Sequence, residues 1–205
     1  LRGDVVLAFF VFQSTMENIG IEEFGIEVKG DKRVVYEYYR RYVKGVYAIG
    51  EIGQGPALAH VASAAAICCV ESISGNNPKP VDYTTIPSCV YTTPEIAMVG
   101  LTQKQAEEQG YEVKVGQFPY TASGKATAAG DRDGFVKLVF DAKTDKLLGA
   151  HMMGGNVTEM LAEPTLAKAM GITAEQIATT IHSHPTMSEA IMEATEAALG
   201  HAVHL

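Results

Sequence analysis

The first third of the chain contains continuous apolar runs rather than alternating ones. Such runs, rich in branched and aromatic residues, predict buried strands at 5–12 and 46–50. A glycine-rich turn, EIGQGP, follows the second run and predicts that a helix begins there and extends over 57–73. The sequence SGNNPKP at 74–80 is typical of a linker.

Beyond the linker, the pattern changes to one that is typical of an antiparallel sheet. Strands are predicted around Ser88 and Ile96 and at 111–118, where polar and apolar residues alternate. The segment 134–154 has the pattern of a hairpin with a polar turn at 143–146. Strands that come first and helices that follow them favour an α+β domain, with an antiparallel sheet covered by helices on one face.

Helices are predicted both inside and after this group of strands. Thr102 and Gln105 have the spacing of a capping box, which places the start of a short helix. Three further helices are predicted at 157–170, 174–182 and 186–199. Pro164 cannot donate a backbone hydrogen bond, so a break in the first of these is expected near Glu163.

Composition and charge narrow the class of protein. The chain has 205 residues, 47% of them hydrophobic and 20% charged, which is typical of a globular protein. Its formal net charge of −8 comes with scattered basic residues, so no nucleic-acid interface is predicted. The run at 5–12 is too short to span a membrane, and the N-terminus lacks the pattern of a secretion signal.

The cysteines and the first residues favour an intracellular fragment. Three cysteines, with Cys68 and Cys69 adjacent on the predicted helix, do not form a disulfide framework, and a reducing compartment is expected. The chain begins with LRGDVVLAFF, a pattern typical of the interior of a strand, and its first methionine is Met16. We therefore expect a piece of a longer protein.

The motif IHSHPTMSEAI at 181–191 has two interpretations. Pro185 disfavours a helical conformation at His184, so one helix should end near Ser183. Thr186 and Glu189 have the spacing of a capping box, which would explain the motif structurally. In the catalytic interpretation, the Glu189 carboxylate holds one ring nitrogen of His184 and leaves the other free to take a proton.

The strand, glycine turn and alanine-rich helix of VYAIGEIGQGPALAHVASAAA also have two interpretations. The N-terminus of the helix favours negative charge, and its small side chains would allow a flat ring to approach. Glu51, at the end of the predicted strand, could accept hydrogen bonds from ligand hydroxyls. Alternatively, the helix packs through its alanines as core and Glu51 is simply solvated.

Other candidate sites are not supported by their spacing. Gly50, Gly53 and Gly55 do not match the dinucleotide fingerprint G-x-G-x-x-G. His182 and His184 lack a third ligand at a suitable spacing, so no metal site is predicted. The remaining histidines near the C-terminus fall in a tail that we expect to be frayed.

Three segments resemble the C-terminal part of dihydrolipoamide dehydrogenases, which are flavin disulfide reductases of the class I pyridine nucleotide-disulfide oxidoreductase family. YAIGEIGQGPALAHVA is similar to the family's second flavin motif, and IPSCVYTTPEIAMVGLT to the first strands of its interface domain. HSHPTMSEAIMEA is similar to the signature that contains the family's acid–base histidine. The resemblance extends from about Asn18 to Ala194 and is most specific in this last motif.

The resemblance implies a role for each candidate site residue. His184 would be the catalytic base and Glu189 would orient it, with a His184–Pro185 bond that can be cis. Glu51 would hold the ribityl chain of FAD. The flavin's pyrimidine edge would lie against the backbone of Ala57, Leu58, Ala59 and His60.

The resemblance also implies the reaction and the organisation of the chain. The whole protein would oxidise dihydrolipoamide to lipoamide, with electrons passing through a redox disulfide and FAD to NAD⁺. Residues 1–44 would be the tail of the nicotinamide-binding domain, 45–77 the closing strand and helix of the FAD-binding domain, and 78–205 the interface domain. The first flavin fingerprint, the redox disulfide and the nicotinamide-binding glycine motif are missing from this sequence, so the chain alone is expected to be inactive.

The implied partners are a second copy and a lipoyl-bearing protein. The interface domain would form a homodimer in which His184 serves the partner's active site. The lipoyl protein would belong to a 2-oxo acid dehydrogenase complex or the glycine cleavage system, in a bacterial cytoplasm or an organelle matrix. Glu51 in place of the family's Asp, and VFQS at 11–14, depart from the pattern and leave room for a degenerate relative. Two alternatives to the proposed enzyme therefore stay open. These are a catalytically silent dimerisation fragment and a disulfide reductase with another substrate.

Overall fold

A computed structural model describes residues 14–26, 45–53 and 55–205. The predicted strand at 5–12 lies outside these residues, as do three of the four residues of VFQS. The chain divides into two units between Tyr83 and Thr84, and each is described by itself. None of the helices within the described ranges is long and apolar enough to cross a membrane.

The first unit contains the helix that the sequence predicts after the glycine turn. Helix α1 comprises Ala59–Ile73, so it begins two residues later than predicted, and it buries both Cys68 and Cys69 in a small core. The strand predicted at 46–50 is reduced, in the described residues, to a single bridge residue at Tyr47. A 3₁₀ helix at Gly50–Ile52 takes over the end of that segment.

The second unit is built on five antiparallel strands: β1 (Ser88–Val90), β2 (Glu95–Gly100), β3 (Val113–Pro119), β4 (Phe135–Asp141) and β5 (Leu147–Gly154). Their order in the sheet is β1-β2-β5-β4-β3. The predicted hairpin is confirmed as β4 and β5, and the predicted α+β class with an antiparallel sheet is confirmed as well.

Six helices accompany the sheet: α2 (Gln103–Glu108), α3 (Gly124–Ala129), α4 (Val157–Met160), α5 (Ala162–Met170), α6 (Ala174–Ala178) and α7 (Glu189–Leu199). Alternate residues of β4, such as Leu138 and Phe140, form the main core with residues of α4 to α7. Val139 points the other way and forms a smaller cluster with Ala106 of α2. The four C-terminal helices therefore cover one face of the sheet, and short α2 adds to the other.

Some helix boundaries follow the sequence and others do not. The capping box is confirmed, because Thr102 caps α2 with Gln105 as its partner. The predicted break near Pro164 is present but falls at Leu161, since proline is tolerated in the first turn of α5. The helix predicted at 174–182 ends at Ala178, where its C-cap Thr179 follows.

Candidate active site

His184 lies in the loop between α6 and α7, which local hydrogen bonds organise. The prediction that Thr186 caps α7 is wrong, because α7 begins at Glu189 and the Thr186 hydroxyl donates to Ser183 O at 2.7 Å. Half of the predicted box is present, since the Thr186 N–H donates to Glu189 Oε2 at 2.7 Å. The His184–Pro185 bond is cis, as the resemblance implies.

The same glutamate also holds the histidine. Glu189 Oε1 lies 2.8 Å from His184 Nδ1, so one carboxylate engages the loop backbone with one oxygen and the ring with the other. The ring itself is 78% exposed, while the Glu189 side chain is only 24% exposed. Because a carboxylate accepts hydrogen bonds, it selects the ring form with a proton on Nδ1, and Nε2 is then the nitrogen that can accept a proton.

The pKa of Glu189 is lowered from its ordinary value of 4.5. Partial burial alone would raise this pKa. The Thr186 N–H, the hydrogen bond and charge of His184, and the charge of His182 act in the opposite direction and outweigh burial. The carboxylate is therefore held in its charged form beside the His184 ring.

The dyad faces a cavity of about 400 Å³. Its walls come from the end of β3, the start of α3, helix α7 and the C-terminal tail. The lining residues are Phe118, Ala122, Ser123, Gly124, His184, Glu189, Glu193 and His204. The His184–Glu189 pair thus opens onto a space that a second chain or a small molecule could enter.

The cavity has a second histidine–glutamate pair, which sequence reasoning missed. His204 Nδ1 lies 2.6 Å from Glu193 Oε1, although the tail was expected to be frayed. Glu193 is 6% exposed, and its Oε2 is a buried atom without a hydrogen-bond partner in the part of the chain that the structure describes. The sequence does indicate that Glu193 lies near Glu189, because it follows Glu189 by four residues and helical residues so spaced share a face.

His182 is likewise engaged in a way that spacing did not reveal. Its Nε2 lies 2.9 Å from Glu163 Oε1 on α5, and its side chain is 6% exposed. Among the described residues, no group of three or more histidines, cysteines or carboxylates is arranged to hold a metal ion. The partner of His182 is 19 residues away in sequence and comes close only through the packing of α5.

The residues that the resemblance assigns to flavin lie together in the first unit. Glu51 is exposed within the 3₁₀ helix Gly50–Ile52, and Ala57, Ala59 and His60 are exposed at the start of α1. Leu58 caps α1 in an extended conformation without a side-chain hydrogen bond. The first N–H groups of α1 therefore lie at an exposed surface that contains two alanines. The helix dipole favours negative charge at this surface.

The turn before α1 requires glycine. Gly55 has a φ of 110°, and a Cβ on it would lie 2.6 Å from the ring of Tyr83. Such a contact is too short for any other residue, so Gly55 lets the chain turn tightly between the 3₁₀ helix and α1. The positive φ of Gly55 fits the glycine turn that the sequence predicts before α1.

Comparison with known proteins identifies relatives along most of the chain. Residues 86–195 match the family model described as the dimerisation domain of pyridine nucleotide-disulphide oxidoreductases. The chain is 46% identical over 192 residues to dihydrolipoyl dehydrogenase of Bacillus subtilis, covering 94% of this chain and 40% of the relative. It is 42% identical over 196 residues to the mitochondrial dihydrolipoyl dehydrogenase of Canis lupus familiaris, covering 95% and 38%. The chain thus spans about two fifths of the length of these relatives.

Solved structures show the same fold. The chain superposes on LpdA from Mycobacterium tuberculosis with a TM-score of 0.85 at 24% identity, covering 90% of this chain and 40% of that one. It superposes on the HOCl-induced flavoprotein disulfide reductase RclA from Escherichia coli with a TM-score of 0.84, covering 90% and 43%. The chain is therefore a member of the pyridine nucleotide-disulphide oxidoreductase family, and it contains that family's dimerisation domain.

Proposed function

We propose that the protein of which this chain is a part is an NAD-dependent dihydrolipoamide dehydrogenase. In this proposal the chain supplies the acid–base histidine and the dimer interface. The observation that carries it is the pair of His184 Nδ1 and Glu189 Oε1 at 2.8 Å, on an exposed loop that opens onto a cavity. Relatives named dihydrolipoyl dehydrogenase, 42–46% identical to this chain, support the substrate.

His184 would act on the dithiol of the substrate. A thiol with a pKa of about 8.5 is mostly protonated near neutrality and reacts poorly, because the thiolate is the nucleophile. Nε2 would take the thiol proton, and the Glu189 carboxylate would stabilise the charged ring from the Nδ1 side. His184 would return to its neutral form when Nε2 later releases the proton.

The whole reaction then balances as a two-electron oxidation. The thiolate attacks a disulfide elsewhere in the whole protein, forming one S–S bond as it breaks another, and the second thiol closes the lipoyl disulfide. The dithiol loses two electrons and two protons. NAD⁺ gains the equivalent of a hydride, and one proton is released to solvent.

The first unit has features that suit the flavin group of FAD. Ala57 and Ala59 leave an exposed, small-residue surface at the positive end of α1, which would face the pyrimidine edge together with the backbone of Leu58 and His60. Glu51 is exposed and could reach ribityl hydroxyls. When bound, FAD would carry electrons between the disulfide and NAD⁺.

The organisation and partners form part of the same proposal. Residues 1–44 would close the nicotinamide-binding domain, 45–77 the FAD-binding domain, and 78–205 would form the interface domain of a homodimer. The dimerisation-domain match at 86–195 supports the last assignment. A lipoyl-bearing protein would deliver the substrate in a bacterial cytoplasm or an organelle matrix.

Replacement of the base tests the proposal in the full-length flavoprotein. His184→Ala should lower kcat for dihydrolipoamide oxidation by about 10²–10⁴-fold, which is the usual contribution of a general base. Electron transfer from NADH to ferricyanide needs no base at the dithiol and should stay near the wild-type rate. His201→Ala, which removes an exposed histidine from the tail, is the matched control and should leave both rates unchanged.

Two results would contradict this assignment. Near-normal dihydrolipoamide turnover in His184→Ala would remove the catalytic role and favour a structural loop. A wild-type protein that reduces another disulfide but leaves dihydrolipoamide unoxidised would show a reductase with a different substrate.

A further inference from the structure

His182 is the most deeply buried histidine of the loop that carries His184. Its side chain is 6% exposed, whereas that of His184, two residues away, is 78% exposed. Its Nδ1 lies 2.9 Å from Thr180 O and its Nε2 lies 2.9 Å from Glu163 Oε1. The two rings of the loop therefore have different surroundings, and the buried ring meets an atom of the protein at each nitrogen.

Both of these atoms are hydrogen-bond acceptors. A backbone carbonyl and a carboxylate cannot donate, so each ring nitrogen must supply a hydrogen for both bonds to form. Of the two acceptors, the Glu163 carboxylate forms the stronger hydrogen bond, because bonds to an ionised acceptor are charge-assisted. The contact is therefore a hydrogen bond between a buried ring and a carboxylate that is 37% exposed.

The Glu163–His182 contact joins the loop to a distant part of the sequence. Glu163 lies in the first turn of α5, which packs against the sheet. The other hydrogen bonds described above for the loop, from Thr186 and between His184 and Glu189, join residues at most five positions apart. Local bonds shape the loop, but they do not fix its place on the domain.

We propose that the Glu163–His182 pair is a positioning device that places His184 for proton transfer. The inference rests on the proposed function of His184. Because the buried ring of His182 is anchored, the loop holds the exposed ring of His184, two residues later, in a fixed direction. The charge of His182 also helps to lower the pKa of Glu189, which indicates that the two groups interact electrostatically.

A graded set of substitutions in the full-length flavoprotein tests the device. Glu163→Ala removes the acceptor, and we expect kcat for dihydrolipoamide oxidation to fall up to about 100-fold, since small misplacements of catalytic groups have effects of this size. Glu163→Gln keeps an oxygen that can accept from Nε2 and should retain most of the rate. NADH–ferricyanide activity should stay unchanged in both variants.

A double variant separates positioning from a general loss of structure. If Glu163 acts through His184, Glu163→Ala should lower turnover little further once His184→Ala is present. Glu108→Ala, which removes a carboxylate from an exposed pair on α2, is the matched control and should lower neither activity.

The outcomes distinguish this inference from the function on which it rests. Normal dihydrolipoamide turnover in Glu163→Ala, together with lowered turnover in His184→Ala, would overturn the positioning role and leave the proposed function intact. An equal loss of both activities in Glu163→Ala would overturn it as well, because the Glu163–His182 contact would then only support the fold. Normal turnover in His184→Ala would instead contradict the function.

Discussion

A single residue, Glu189, connects structure and chemistry in the candidate site. Its two carboxylate oxygens accept from different donors, Oε2 from the Thr186 N–H and Oε1 from His184. The structural and catalytic interpretations of the motif are therefore compatible in this geometry. One side chain begins α7 and also sets the orientation of the histidine.

Glu189→Gln should remove a pH-dependent contribution to stability. Because the pKa of Glu189 is lowered in the folded protein, its contribution is present above the ordinary value of 4.5 and is lost as pH falls through the lowered pKa. At pH 7 the variant should be less stable by about 1 kcal/mol, since the amide has one acceptor oxygen for two donors. Urea unfolding of both proteins between pH 7 and 3 should show their difference shrinking below pH 4.5.

A stability difference that does not depend on pH would contradict the prediction for Glu189. A stability difference that stays the same from pH 7 to pH 3 would mean that the charge of Glu189 does not contribute to folding. The loop would then depend on its backbone contacts and on the burial of Met187.

At the scale of elements, α7 packs closely against the sheet at Gly116. Gly116 of β3 is buried, and a Cβ on it would lie 1.8 Å from Ala194 O and 2.5 Å from Ala198 N. Both of these are backbone atoms of a helix, which cannot move without displacing the whole element. The glycine therefore permits the contact that brings Glu189 and Glu193 to the cavity.

Gly116→Ala should destabilise the protein by about 3 kcal/mol or more, because the added methyl group overpacks a backbone contact. Gly124→Ala is the matched control, since nothing lies within 4 Å of its added Cβ and the residue is helical. A clear fall in the thermal midpoint is expected for Gly116→Ala alone. Equal midpoints in the two variants would show that α7 shifts freely on the sheet.

Elements that local chemistry determines could be predicted from the sequence. The box of Thr102 and Gln105, the β4–β5 hairpin and the break before Pro164 follow from capping, alternation and the missing proline N–H. The dyad of His184 and Glu189 could be predicted because its members are five residues apart. The end of α6 and the start of α7 differ from the prediction, since the loop between them is organised by Thr186 and His182 in ways that spacing does not encode.

Contacts between distant segments could not be predicted. The pair of His182 and Glu163 depends on how α5 packs, and the pair of His204 and Glu193 depends on how the tail returns to α7. A histidine in a terminal segment is usually exposed to solvent, and His204 is 66% exposed, so its pairing with Glu193 could not be predicted. Tertiary packing determines these parts of the site.

At the scale of the whole molecule, the exposure of His184 fits a site completed by a second copy. The ring is 78% exposed in the single chain, although a general base works best where water is excluded. The dimerisation-domain match covers this residue. If each histidine serves its partner's dithiol site, as the family resemblance implies, two inactive subunits should complement each other.

Mixed dimers provide the sharpest test of this arrangement. One full-length variant would carry His184→Ala, and the other would lack the redox disulfide but keep His184. When equal amounts of the two variants are unfolded and refolded together, half of the dimers are expected to be mixed. Each mixed dimer should hold one complete site, with a redox disulfide and His184, and one site that lacks both. About a quarter of the wild-type turnover should then return, because a symmetric dimer presents two equivalent sites. Recovery no greater than that of the separately refolded variants would show that each subunit uses its own histidine.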